Sequence, residues 1–175
     1  MNDELDNRGS KAKRVWRLLP LAAMLALSLV GMGARAASAA TSQPFMASVS
    51  GTVVLSGLNK NDTIMLSGTG SASPLGQLQS YTANGVITSS HTDKQGTTYI
   101  TDTLHETLTA ANGDTLTILC QQTAVSDTTG FHGNDSWTVT GGTGRFSGAT
   151  GSGTGHTQSV VAGTFTKDMT GTIAY

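Results

Sequence analysis

The chain has 175 residues, a formal net charge of −1, 22 glycines, one cysteine and only 12% charged residues. A lone Cys120 excludes an internal disulfide framework. The length suits one domain with one core.

The N-terminal segment reads as an export signal. Arg8, Lys11, Lys13, Arg14 and Arg17 precede an apolar run at 18–32, which leads into the small-residue stretch Ala34-Arg35-Ala36-Ala37-Ser38-Ala39. That order is a cleavable secretory signal, and the run is shorter than the roughly 20 residues that cross a bilayer. Cleavage is expected after Ala39, giving a signal peptide at 1–39 and a secreted or periplasmic product without a membrane span. From Thr41 onward four basic residues stand against eight acidic ones, a net charge of −4. Such a segment lacks the basic footprint that nucleic acid or an anionic membrane requires.

After a short N-terminal segment at 40–48, apolar and polar residues alternate with period two, and no helical period outlasts a turn. Eight strands are expected, at 49–57, 62–71, 77–89, 97–110, 114–125, 136–140, 149–157 and 163–174. The turns between them place Asn59 and Asn61, Asp93 and Gly96, Asn112 and Gly113, and Gly130 where positive φ is cheap. Short links make sequence neighbours antiparallel pairs. Eight such strands close most economically into an up-and-down barrel at 49–175, which removes exposed edges; a two-sheet sandwich is the competing architecture.

The hairpin at 108–114 defines a register. A two-residue Asn112-Gly113 turn would set Leu108 against Thr117 and mismatch the two faces. A three-residue loop with Gly113 left-handed pairs Ala110 with Asp114, Leu108 with Leu116, Glu106 with Ile118, Leu104 with Cys120 and Asp102 with Gln122. The apolar face so formed is the expected interior. Asp102 and Glu106 point into it as candidate acid–base groups, because desolvation raises a carboxyl pKa toward neutrality. Leu104, Leu108, Ile118, Cys120 and Gln122 are the candidate lining of a ligand site, with Tyr81 or Tyr99 at its rim.

Other chemistries find little footing. His91, His105, His132 and His156 are scattered without metal-site spacing, so no metal is expected. No G-x-S-x-G elbow is present. Asn61-Asp62-Thr63 and Asn134-Asp135-Ser136 fit the glycosylation acceptor pattern. Trp137 and Phe146 are expected in the core. Seven glycines crowd 141–155, yet nothing helical follows to complete a phosphate loop. A tight corner around Phe146, and a following strand whose glycines allow close approach, account for them better.

Within that stretch, Gly141-Gly142-Thr143-Gly144-Arg145-Phe146-Ser147-Gly148-Ala149-Thr150-Gly151 resembles the corner segment of the allene oxide cyclase and dirigent superfamily, especially its bacterial barrel-like members. Ser71-Ala72-Ser73-Pro74-Leu75-Gly76 and the 108–114 hairpin also look like those members. The resemblance covers 49–175 and implies a calycin-like, allene oxide cyclase-like barrel. It further implies an interior cavity for an apolar small molecule, without a cofactor. Two functions are therefore expected in order: an exported module that binds an apolar molecule or serves structurally, and then a cofactor-independent cyclase or isomerase.

Overall fold

Each strand of this chain hydrogen-bonds to the strand before it and the strand after it, and the last returns to the first. The computed structural model describes residues 40–160 and 162–175. It contains β1 (Ser42–Leu55), β2 (Thr63–Ser73), β3 (Gly76–Thr92), β4 (Thr98–Ala110), β5 (Thr115–Asp127), β6 (Gly130–Gly142), β7 (Thr150–Ser159) and β8 (Thr164–Ala174), with a single 3-10 turn at Gly144–Phe146. All pairings are antiparallel, in the order β1 to β8 around a closed barrel. The expected barrel is present and the sandwich is not. The signal-peptide reading at 1–39 lies outside the described residues, among which no helix is long and apolar enough to cross a membrane.

Two strands begin well before their expected starts. β1 starts at Ser42, so most of the 40–48 segment is strand: Phe45 and Ala47 continue the buried alternation of Val49. Pro44 is tolerated because pairing with β2 begins only at Met46, leaving β1 one neighbour at that point. β6 starts at Gly130 rather than Ser136, since Gly133 and Asp135 lack the apolar side chains that mark a core face, yet are buried like Trp137 and Val139.

The 108–114 hairpin has the register derived above. Leu108 faces Leu116, Glu106 faces Ile118, Leu104 faces Cys120 and Asp102 faces Gln122. Gly113 has φ 88°, and the Ala110 amide donates to the Asp114 carbonyl at 2.9 Å. Shared burial of both strands on this face makes it the barrel interior.

The glycine-rich segment does two jobs. Its first half is the corner: Phe146 is buried against Tyr175, with ring centroids 4.7 Å apart, and the Arg145 guanidinium lies over the Phe146 ring. Arg145 also donates to the carbonyls of Pro74 and Leu75, tying the corner to the β2–β3 turn. Its second half is β7, whose interior-facing positions Gly151, Gly153 and Gly155 carry no side chain. Their neighbours on β6 and β8 use that room. A Cβ on Gly153 would stand 2.3 Å from the Trp137 indole and one on its partner Gly171 2.6 Å from it, and one on Gly155 would meet the Asp135 carboxylate at 2.6 Å.

Candidate functional site

The interior is apolar at both ends and ionised in the middle. Phe45, Trp137, Leu108, Leu116, Phe165 and Met169 are among its buried apolar residues, and Phe45 packs edge-on against Trp137 at 5.1 Å. Between these layers, the Lys167 ammonium on β8 donates to Glu106 Oε1 on β4 at 2.5 Å and lies 3.0 Å from Asp135 Oδ2 on β6. It also approaches Cys120 Sγ on β5 at 3.4 Å. One side chain thus connects four strands across the lumen, and all three charged groups are fully buried.

Burial alone would pull the Lys167 pKa down. Glu106, Tyr81, Cys120 and Asp135 outweigh it and hold the ammonium well above its ordinary value. Desolvation pushes up the Cys120 thiol and the Tyr81 phenol, so both stay protonated. Tyr81 is buried beside Glu106 without a well-formed hydrogen bond. Asp102 is the odd member. It is wholly buried, neither carboxyl oxygen has a hydrogen-bond partner, and its pKa is pushed up to about 7. Desolvation is the main cause; Lys167 opposes it, and Asp135 and Glu106 reinforce it.

Of the residues expected to form a ligand site, Leu104, Leu108, Ile118, Cys120 and Gln122 do face inward, beside Asp102 and Glu106. Tyr99 does not join them. It lies on the outer face, 48% exposed, because it is one residue out of phase with Ile100 and the interior alternation of β4. Tyr81, the other residue expected at the rim, is instead fully buried in the interior, and sequence reasoning missed Lys167 and Asp135. The signal for Lys167 is present: Phe165, Lys167, Met169 and Ile173 alternate along β8, so the lysine occupies a core position.

The interior is filled by these side chains. A void of about 50 Å³ lies at the end of the barrel that bears the β1–β2 turn. Val53, Leu66, Leu104, Phe131 and Phe165 line it, and the Gln122 carboxamide donates to Thr157 Oγ1 at 3.0 Å beside it. Drug-sized ligands occupy sites of about 300–1,000 Å³, whereas 50 Å³ holds about a water or two. Among the described residues no group of His, Cys, Asp and Glu is arranged to hold a metal ion.

Fold and site together define a closed eight-stranded antiparallel barrel with an ionised, sealed core. No protein-family model matches the chain, and no curated protein matches its sequence.

Proposed function

We propose that this chain is an exported barrel module that works through its outer surface, its interior serving stability and not ligand storage. The packing of the lumen supports this reading: Trp137, Tyr81, Phe45, Lys167 and Glu106 are fully buried in it, and the void at its β1–β2 end, about 50 Å³, is several-fold below what an apolar small molecule needs. Export to the periplasm or beyond is read from the basic-apolar-small order of 1–39. The resemblance of 141–151 to the allene oxide cyclase and dirigent corner makes that superfamily the proposed structural kin, as a fold relationship only.

The cyclase or isomerase reading has one observation in its favour, the Asp102 carboxyl poised near neutrality. Against it, Asp102 and Glu106 are sealed from solvent and Glu106 is committed to Lys167. Native mass spectrometry of protein purified from the exporting host tests the proposal. The mass of the polypeptide alone is the expected result. A co-purifying lipid-like molecule lost on Leu104→Trp would overturn it.

A further inference from the structure

The outer face carries a groove of about 450 Å³ that the interior chemistry does not touch. It crosses β3 to β6 and is lined by Ser89, His91, Tyr99, Thr123, His132 and Asn134, among others. Register brings these residues together: His91 pairs with Tyr99, Tyr99 with Val125, and Val125 with His132, while Thr123 pairs with Asn134 in the adjoining row. A β-bulge shapes one wall. The register of β3 on β4 shifts between Ile87 and Ser89, so Thr88 and Ser89 are both exposed instead of alternating, and the Thr88 hydroxyl donates to the Thr101 carbonyl at 3.0 Å. Bulges re-aim side chains in this way at binding sites.

The lining selects the chemistry of an occupant. It contains no Lys, Arg, Asp or Glu, so a strongly charged ligand finds no counter-ion. Val125 and the Tyr99 ring give it apolar surface, but Ser89, His91, Thr123, His132 and Asn134 interrupt that surface, and a lipid tail would leave their polar groups unpaired. An extended peptide binds by adding to a sheet edge, and a closed barrel has none. What remains is a neutral polyhydroxylated ligand. A half-exposed tyrosine offers an apolar ring with a polar tip, suited to the C–H face of a pyranose, and the surrounding groups suit its hydroxyls. His156 Nδ1 sits 3.0 Å from Asn134 Oδ1, and His132 Nε2 lies 3.1 Å from Thr129 Oγ1, so both groove residues are positioned by neighbours.

We infer that the β3–β6 outer groove is a binding site for neutral saccharides, with Tyr99 as the stacking platform and Asn134, Thr123 and Ser89 as hydrogen-bonding groups. The groove lies outside the lumen, so this inference is independent of whether the interior holds a ligand. The test is amide chemical-shift mapping and calorimetric titration of the purified protein with cellohexaose, chitohexaose, xylohexaose and mannohexaose. At least one sugar is expected to shift resonances around Tyr99 and Asn134. Tyr99→Ala should weaken that binding at least about tenfold, about 1.4 kcal/mol. Tyr99→Phe should retain most of it. His105→Ala, on the outer face but outside the groove, should leave it unchanged. The inference is overturned if no sugar binds at millimolar concentration, if Tyr99→Ala binds like the parent while folded, or if the shifts map elsewhere.

Discussion

Lys167 on β8 and Glu106 on β4 meet across the middle of the barrel at 2.5 Å, with neither side chain exposed to solvent. Removing the lysine strands two buried carboxylates. Lys167→Met is expected to destabilise the fold by about 3–5 kcal/mol, the usual cost of breaking a buried ion pair from one side. Replacing the group as a whole, with Lys167→Met, Glu106→Gln and Asp135→Asn together, should recover much of that loss. Urea denaturation monitored by circular dichroism gives both values.

Asp102 adds a pH dependence of definite sign. Its pKa rises from 3.8 in the unfolded chain to about 7 in the fold. Between those values the folded state holds the proton and the unfolded state does not, so unfolding free energy falls as pH rises. The stabilisation is complete below about pH 4 and lost above about pH 7, on the order of 1.4 kcal/mol for each unit of separation. Asp102→Asn should flatten this slope and be more stable than the parent at pH 8. Denaturation midpoints across pH 4 to 8 measure it; an unchanged slope in the variant would assign the dependence to another group.

Gly153 is expected to tolerate no side chain. Trp137 lies across it, its indole Nε1 donating to the Thr154 carbonyl at 3.0 Å, and the opposing Thr170 strand blocks retreat. Gly153→Val should cost about 3 kcal/mol or more, or abolish folding, as overpacking at a position without relief does. Once 1–39 is removed the remaining tryptophan is Trp137, so a red-shifted emission would report its displacement.

Arg145 should matter less than its contacts suggest. It pairs with Asp114 at 3.6 Å and lies over Phe146, but its side chain is 44% exposed. Arg145→Ala is expected to lower stability by about 1 kcal/mol or less. Hydrogen exchange should show that loss concentrated at the β2–β3 turn and the Gly144–Phe146 corner, not in the strands.

The fold was legible in this chain because its cues are local. Period-two alternation, Asn-Gly turns and the face-matching of Leu108 with Leu116 together specify neighbours, and neighbours specify an up-and-down barrel. Asp102 and Glu106 were legible for the same reason: they share a strand face with Leu104. Asp135 was not, because Gly133 before it marks no apolar face, and Lys167 was passed over although Phe165 and Met169 flank it on the same face of β8. Tyr99 fails in the other direction: an aromatic reads as a lining residue, yet the phase of β4 sends it outward. Glycines 151 and 153 do allow the close backbone approach expected of them, to the Thr172 and Thr170 carbonyls, but that Gly153 and Gly155 also vacate volume for Trp137 and Asp135 was not read.

Ser42 pairs with Ala174, so the first and last strands of the barrel have their outer ends side by side, at the pole that also bears the β2–β3 turn and the Phe146 corner. Whatever polypeptide is joined to either end therefore departs from this one pole. A tether, a tag or a fused neighbour leaves the opposite pole unobstructed, where the β3–β4 and β5–β6 turns flank the Tyr99 groove. Such a barrel immobilised by either terminus would stand with that groove facing outward.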